Sequence, residues 1–371
     1  MTVGTVAEGL PAVVTITLAL GAQRMLKRES LVRKLPAVEA LGSVTTICSD
    51  KTGTLTENRM TVTLLDVAGD QRSVHTLLEK GVPVTRLDAD IDLNLAPSER
   101  TLTLLVKAMS LANDAHLQQT EDGQGRRAIG DPTEGALVVA ASQLGLEKDD
   151  LEERWPRIAE VPFTSERKRM TTVHETRVQT TETNAPWRDN PYVAFSKGAV
   201  DSLLDITSQV WDGEGMVPLD KEMAERIQRA NAEMAAGGQR VLGVAFRTLE
   251  KLPAEISSEQ VEGDLTFIGL VGMLDPPRPE VREAVARCRA AGIRPVMITG
   301  DHPLTARHIA EELDISRSDS PMMTGNDLAQ MSIEQLEGQV DEVSVFARVS
   351  PEHKLNIVSA LQNREIGRAH V

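Results

Sequence analysis

The sequence predicts an α/β protein whose open, parallel sheet is split by a second, inserted domain. Two observations support this fold class. A short β-branched run at 44–47 and a second predicted strand at 294–298 are each followed by a polar, glycine-containing loop, as in strand–loop–helix units. Between them, residues 62–273 form a region of roughly 200 residues, which is the size of a full domain.

This region has patterns of its own. Apolar residues recur at helical spacing over 102–112 and 221–236, and an apolar run predicts a strand at 265–274. Polar stretches at 119–127 and 175–190 predict surface loops.

The composition of the chain limits the classes of protein to which it can belong. The chain has 371 residues with 41% hydrophobic and 26% charged residues, which is ordinary for a globular protein. Its net charge of -15 argues against nucleic acid as a partner, and the sequence indicates no partner protein. Cys48 and Cys288 are far apart, so we interpret both as reduced and cytosolic, and Cys48 as a small buried side chain.

The amino terminus has the composition of a membrane helix. Residues 2–22 are almost entirely apolar or small and contain one charge, Glu8, before a basic segment that begins at Arg24. About 20 apolar residues with a basic flank predict a span over 1–27 whose C-terminal end is cytoplasmic. A buried core helix is the alternative.

Glu8 lies beside a predicted helix break. Gly9 and Pro11 would free backbone carbonyls next to its carboxylate, and these oxygens together can replace the water shell of a cation. An ionisable residue within a membrane is a functional hypothesis by default. Alternatively, Glu8 lies near a water-filled entrance.

The run Asp50-Lys51-Thr52-Gly53-Thr54-Leu55-Thr56 follows the first strand. A carboxylate at the end of such a strand can attack a phosphoryl group, and the lysine, hydroxyls and backbone N–H groups after it can compensate the charge. A lone Asp here would be a solvated turn residue. The whole run resembles the phosphorylation motif of the P-type cation pumps.

Two later segments support phosphate chemistry. Thr299, Gly300 and Asp301 follow the strand at 294–298 with a hydroxyl, a residue for close approach and a helix N-terminus that favours anions. After Asp275-Pro276-Pro277-Arg278, they resemble the second catalytic motif of the family. Lys354, which begins a helix after a strand at 343–347, is either a fixed positive charge beside Asp50 or an exposed lysine.

The inserted domain has candidates for a nucleotide site. A base could stack on Phe163, Lys168 and Lys197 could face a purine or phosphates, Glu134 could accept from an amine, and Gly198 makes a tight turn. Taken singly, Phe163 could be a core residue, the lysines solvated and Glu134 an N-terminal helix charge.

Together, these residues resemble the nucleotide-binding domain of P-type pumps. The resemblance adds Arg240 as a phosphate ligand and assigns Arg278 to the nucleotide. Ser165 is a departure, because calcium pumps often have an arginine there.

The resemblance to type II P-type pumps implies a HAD-like (Rossmann-type) phosphorylation domain in two parts, 28–61 and 274–365, around an α+β nucleotide-binding domain at 62–273. It implies ATP and Mg²⁺ as cofactors, with Mg²⁺ held by Asp50 and Thr52. It further implies a transported cation at Glu8 and a lipid bilayer, with cytoplasmic catalytic domains. Pro11 favours calcium pumps, although Ala7 replaces the usual proline.

Alternatives remain open at this point. The chain could be part of a pump for Na⁺, K⁺, H⁺ or Mg²⁺, an ATP-binding fragment without catalysis, or a HAD-type phosphatase. Such phosphatases usually have a second Asp two residues after the nucleophile, where this chain has Thr52.

The chain is expected to be an internal fragment. The family's Gly-Asp-Gly-Val-Asn-Asp motif, which helps to hold Mg²⁺, is absent, so we expect this polypeptide alone to be inactive. We also expect residues 366–371 to be non-native, because the codons that they allow can match a sequencing adapter.

Overall fold

The computed structural model describes residues 10–28, 30–34, 36–79, 95–120, 126–176, 186–187 and 189–368. These residues form two compact units. The first combines those of Met1–Asp50 with Pro279–Gly300 and Ala310–Val371, and the second combines Lys51–Arg278 with Asp301–Ile309. The domain limits given above remain predictions.

The helices and strands follow one another along three stretches. The chain up to Asp50 forms α1 (Leu10–Leu26), α2 (Pro36–Gly42) and β1 (Thr46–Asp50). The next stretch forms β2 (Thr61–Val67), β3 (Asp70–Ser73), α3 (Val74–Glu79), α4 (Pro97–Leu111), β4 (His116–Gln119), β5 (Arg126–Ile129), α5 (Pro132–Gln143), α6 (Lys148–Arg154), β6 (Arg157–Val161), β7 (Arg169–Glu175), β8 (Tyr192–Gly198), α7 (Val200–Leu204), β9 (Thr207–Trp211), β10 (Met216–Pro218), α8 (Lys221–Ala236), β11 (Arg240–Leu249), α9 (Ser258–Val261) and β12 (Leu265–Leu274). The last stretch forms α10 (Val281–Ala290), β13 (Arg294–Ile298), α11 (Pro303–Glu312), β14 (Met322–Thr324), α12 (Gly325–Ala329), α13 (Ile333–Gln339), β15 (Val345–Ala347) and α14 (Pro351–Arg368).

The first unit is built on a parallel sheet with the strand order β1, β13, β15, β14. Val296 and Phe346 of the two central strands pack in one buried cluster with Ile357 and Leu361 of α14. The α/β fold class is therefore confirmed. Because the strands are parallel, their carboxyl ends lie at one edge of the sheet.

The prediction of a buried strand at 44–47 is wrong in position and in burial. The strand covers Thr46–Asp50, and Ile47 and Cys48 are exposed. The sheet order explains the exposure of these side chains, because β1 is an edge strand with β13 as its neighbour among the described strands. The small buried role that we expected for Cys48 is therefore also wrong.

Part of the predicted membrane helix lies outside the described residues. The positions outside this range are 1–9, and they include Glu8. The described remainder forms α1, and none of its residues is buried. In the described ranges, no helix is both long enough and apolar enough to cross a membrane.

The second unit contains a sheet of nine strands. Seven run in the order β10, β9, β12, β11, β8, β7, β6, and β2 joins β12 and carries β3. Pairing is antiparallel except between β9 and β12. The predicted apolar face of α4 is confirmed, since Leu102, Leu105 and Met109 lie in the main core of this unit.

Two segments that we predicted as surface loops contain ordered structure. In the segment 119–127, Gln119 pairs with Arg126 in the β4–β5 hairpin. These polar strands lack the apolar alternation that identifies strands in a sequence. In the segment 175–190, Trp187 is only 3% exposed and its ring packs edge-to-face on Phe195 at 5.5 Å. A single tryptophan can bury enough apolar area to draw a polar segment onto the core.

Candidate functional site

Asp50 ends β1 at the carboxyl edge of the parallel sheet. It pairs in register with Ile298, the last residue of β13, so Thr299 follows at the same edge. Nζ of Lys354 donates a hydrogen bond to Oδ2 of Asp50, and both side chains are partly exposed. A carboxylate and an ammonium group therefore meet where open α/β sheets place reactive groups.

Backbone hydrogen bonds tie the loops of this edge together. Thr299 is 1% exposed, its N–H donates to Phe346 O at 2.9 Å, and its carbonyl accepts from Val349 N at 3.1 Å. Gly300 is exposed beside it. These bonds fix the loop that leads into α14, and the Ser350 hydroxyl caps that helix by accepting from His353 N at 3.3 Å. Lys354 is thereby held in the first turn.

The segment Lys51–Leu55 of the second unit is a wide turn. Thr52 is exposed and extended, and Gly53 has φ +77°, a left-handed conformation that favours glycine. Arg278 supports this turn by donating to the carbonyls of Gly53 and Thr56, each at 3.1 Å. Arg278, which we assigned to the nucleotide, is absent from the lining of the pocket described below.

Lys51 is buried between two carboxylates. Its Nζ lies 2.5 Å from Oδ2 of Asp301 and 3.5 Å from Oδ2 of Asp275. Asp275 also accepts from the Thr56 hydroxyl at 2.5 Å and from Arg59 N at 3.1 Å. The sequence placed Asp275 only in a connection, although an aspartate directly after an apolar strand was a usable signal. Among the described residues, no group of three or more His, Cys, Asp or Glu could hold a metal ion.

A cavity of about 470 Å³ lies within the second unit. Volumes of this size are typical of small-molecule sites. Sheet register explains how distant residues meet there, because Gly198 at the end of β8 pairs with Arg169 of β7 and with Gly243 of β11. The cavity is lined by Asp131, Thr133, Glu134, Phe163, Lys168, Met170, Lys197, Gly198, Arg240 and Leu242. Six of these are residues that the sequence analysis assigned to a nucleotide.

Lys197 and Glu134 form an ion pair in the cavity wall. Lys197 Nζ lies 2.7 Å from Oε1 of Glu134, and the two side chains are 7% and 15% exposed. Burial lowers the pKa of the Lys197 ammonium group, and the Glu134 carboxylate opposes that effect. The other oxygen of Glu134 accepts from Asp114 N at 3.2 Å. The solvated lysine that we kept as an alternative is therefore wrong for Lys197.

Phe163 differs from the other four phenylalanines of the chain. Its side chain is 59% exposed at the cavity, whereas Phe195, Phe246, Phe267 and Phe346 are at most 2% exposed. The core position that we kept as an alternative for Phe163 is therefore wrong. An exposed ring on a cavity wall is a surface on which a planar ligand can stack.

Arg240 and Thr133 meet at the cavity, where Nη1 of Arg240 donates to the Thr133 hydroxyl at 2.8 Å. Asp131 caps α5 by accepting from Thr133 N at 2.8 Å and Glu134 N at 3.3 Å. The sequence analysis selected Glu134 from this segment and missed Thr133 and Asp131. The order Asp-Pro-Thr-Glu, with a capping residue before a proline, was the available signal.

Two protein-family models match parts of this chain. Residues 101–280 match the model for the P-type ATPase cytoplasmic domain N, and residues 202–367 match that for haloacid dehalogenase-like hydrolases. The second match confirms the HAD-like domain.

Several bacterial proteins are similar over nearly the whole chain. Calcium-transporting ATPase 1 of Bacillus cereus is 43% identical over 98% of this chain and 36% of its own length. Calcium-transporting ATPase of Bacillus subtilis is 41% identical over 98% of this chain and 39% of its own. Probable cation-transporting ATPase F of Mycobacterium tuberculosis is 41% identical with the same two shares.

The chain thus spans little more than a third of the length of these relatives. Since its phosphorylation motif, its HAD-like match and its domain N match agree, the chain belongs to the P-type ATPase family.

Proposed function

We propose that this chain is the nucleotide-binding and phosphate-accepting part of an ATP-driven cation pump. The observation that carries the proposal is the contact between Lys354 Nζ and Asp50 Oδ2 at the carboxyl edge of the parallel sheet. Through this contact, a fixed positive charge lies beside Asp50, the carboxylate that the phosphorylation motif provides as a nucleophile.

In the proposed reaction, a carboxylate oxygen of Asp50 attacks the γ-phosphorus of ATP. The bond from that phosphorus to the β–γ bridging oxygen breaks, ADP leaves with the electron pair, and an acyl phosphate forms. Lys354 balances negative charge on the transferred group, and Thr299 offers a hydroxyl at the same edge. Lys51, paired with Asp301 and Asp275, holds the adjoining turn in place.

Mg²⁺ would suit this chemistry, because it would neutralise negative charge on the phosphate groups when it is bound. Asp50 and the Thr52 carbonyl are the donors that we propose for it. One carboxylate and one carbonyl are an adequate protein contribution, since Mg²⁺ usually keeps waters and phosphate oxygens as its other ligands.

The pocket of the second unit is the proposed ATP site. Phe163 would stack on the base, and Lys168 and Arg240 would face phosphates. Lys197 and Glu134 would present a hydrogen-bonding pair with Gly198 close beside it. Met170 and Leu242 add apolar surface beside these charged groups, a mixture that is typical of small-molecule sites.

Calcium is the transported ion that we propose, with Glu8 among its ligands. Two of the bacterial relatives are named calcium-transporting, whereas the mycobacterial relative is named only cation-transporting. The proposed membrane location is supported by α1, which exposes Leu10, Val13, Ile16 and Leu20 by 52–60% ahead of a basic segment. The catalytic units would then be cytoplasmic.

ATP binding without phosphoryl transfer is a second candidate for the chain as it stands. It is favoured because all the residues that line the pocket belong to the second unit. Titration of the 371-residue chain with ATP, with Lys197→Ala as the comparison, tests this part by itself.

Phosphorylation is tested in the full-length protein. Incubation with γ-labelled ATP should give an acid-stable, hydroxylamine-labile phosphate that is lost in Asp50→Asn. Label that persists in the Asn variant refutes the assignment of Asp50. The metal dependence of ATP hydrolysis then tests the ion, since a dependence on Ca²⁺ is expected and indifference to Ca²⁺ would exclude it.

A further inference from the structure

Glu262 is a buried carboxylate outside the lining of the nucleotide pocket. It lies between α9 and β12, and its side chain is fully buried. It accepts from Arg167 Nη1 at 2.6 and 2.8 Å, from Arg169 Nε at 2.9 Å and from the Thr171 hydroxyl at 2.9 Å. One carboxylate thus receives two guanidinium groups and a hydroxyl, which are strong, charge-assisted hydrogen bonds.

The two arginines flank a residue of the pocket. Arg167 and Arg169 are the neighbours of Lys168, which lines the cavity in the same β6–β7 connection as Phe163. Lys168 has φ +52°, a left-handed conformation that is unfavourable for a lysine. A residue held in this way needs surrounding structure that fixes it.

Backbone contacts supply part of that support. Lys168 N donates to Thr164 O at 2.7 Å, and Lys168 O accepts from Ala199 N at 3.0 Å. A Cβ on Gly198 would lie 2.5 Å from Lys168 O, so the strand end and the turn approach too closely for any other residue. Glu262 supplies the side-chain support, because it binds the residues on both sides of the turn.

We infer that Glu262 is a positioning residue for nucleotide recognition, which acts by holding the turn that presents Lys168 and Phe163 to the pocket. This inference rests on the proposed function. Without the carboxylate, the two partly buried guanidinium groups would remain close together and would lose the counter-charge that they share. Their repulsion would release the turn, and the lysine and the ring would lose their fixed positions.

The direction of the change in ATP affinity distinguishes a positioning role of Glu262 from a simple effect of its charge. ATP is a polyanion, so the removal of a nearby negative charge should by itself strengthen binding. The loss of positioning should weaken it. A weaker affinity in Glu262→Gln therefore cannot result from the change in charge alone.

The test is ATP titration of the full 371-residue chain by calorimetry. We expect Glu262→Gln to raise the Kd for ATP about tenfold, equivalent to about 1.4 kcal/mol. The matched control is Glu259→Gln, an exposed glutamate three residues earlier, which should leave the Kd unchanged. When Glu262→Gln is combined with Lys168→Ala, the two losses of ATP affinity should not add, because both changes act on the same turn.

A second variant covers the outcome that Glu262→Gln does not fold. Arg169→Lys keeps the positive charge but loses the geometry of the guanidinium group, and it should raise the Kd about threefold. An unchanged Kd in the folded variants, or strictly additive losses with Lys168→Ala, would overturn the inference. If the unaltered chain does not bind ATP, the proposed nucleotide site itself fails, and the inference fails with it.

Discussion

Lys354 and Asp50 are separated by 304 positions in the sequence, yet Nζ of the lysine donates directly to Oδ2 of the aspartate. Parallel strands produce this contact. Asp50 ends β1, and the chain leaves β15 at the same edge of the sheet before it enters α14, whose first turn contains Lys354. The ammonium group therefore lies where charge would accumulate during transfer of a phosphoryl group to Asp50.

Replacement of Lys354 by alanine should slow phosphorylation of Asp50 in the full-length protein by about 10²–10³-fold, the usual loss when one preorganised charge is removed. Rapid-quench measurement of labelled phosphoprotein gives the rate. Lys221→Ala is the matched control, because that side chain is 91% exposed on α8. An unchanged rate in Lys354→Ala would show that the contact with Asp50 has no catalytic role.

Replacement of Phe163 by alanine should weaken ATP binding without loss of stability. A stacked base contributes about 1–3 kcal/mol, so the Kd should rise by about one order of magnitude or more. The ring is 59% exposed, so the free energy of unfolding should change by less than about 0.5 kcal/mol.

Phe195→Ala is the contrasting variant for this prediction. Its ring is fully buried against Trp187, so its removal should lower the free energy of unfolding by about 3–5 kcal/mol. ATP titration and urea denaturation of both variants separate the two roles. Equal ATP affinity in Phe163→Ala and the unaltered chain would exclude stacking on that ring.

Local patterns made part of this fold and site predictable. The limits of α8, β12 and β13 were predicted to the residue, because α8 has a helical periodicity and the two strands are runs rich in apolar residues that end at polar or proline-containing segments. Phe163 and Lys197 could be chosen because each has an unusual local setting, one beside a basic cluster and the other at a glycine turn. The structure places both on the same pocket.

Contacts between distant segments were not predictable. Glu262 precedes a strand among other polar residues, and nothing near it in the sequence indicates that it is fully buried between two arginines from 93 and 95 positions away. The same limit applies to β1. Its residues suit a buried strand, but the strand order, which a local pattern does not contain, makes it an edge.

Replacement of Asp275 by asparagine should destabilise the second unit. Asp275 is 9% exposed and accepts from Thr56 and Arg59, while Lys51 would keep Asp301 as its counter-charge. The weakening of these charge-assisted hydrogen bonds should cost about 1–3 kcal/mol. Glu225→Gln is the control in the same unit, because its pair with Lys221 is exposed by 53% and 91% and should contribute less than about 1 kcal/mol. Urea denaturation gives both values, and equal losses would contradict a special role for Asp275.

His174 should make the stability of the second unit depend on pH. Its ring is fully buried, Nδ1 donates to Trp155 O at 2.8 Å, and Nε2 accepts from the Thr172 hydroxyl at 2.9 Å. Burial lowers the pKa of His174 from 6.5 to about 4. Between these values the unfolded chain binds a proton that the folded chain does not, so the free energy of unfolding should decrease as the pH falls through that window.

The expected decrease is at most about 3 kcal/mol, from the difference between the two pKa values. Urea denaturation at steps from pH 7 to pH 4 measures it, and His174→Gln should remove this part of the slope because glutamine does not titrate. His75→Gln is the control, since it replaces a histidine whose side chain is 80% exposed. Carboxylates also titrate at the acid end, so the comparison is the difference between the two variants. Equal slopes in both would mean that His174 takes up its proton in the folded state as readily as in the unfolded chain.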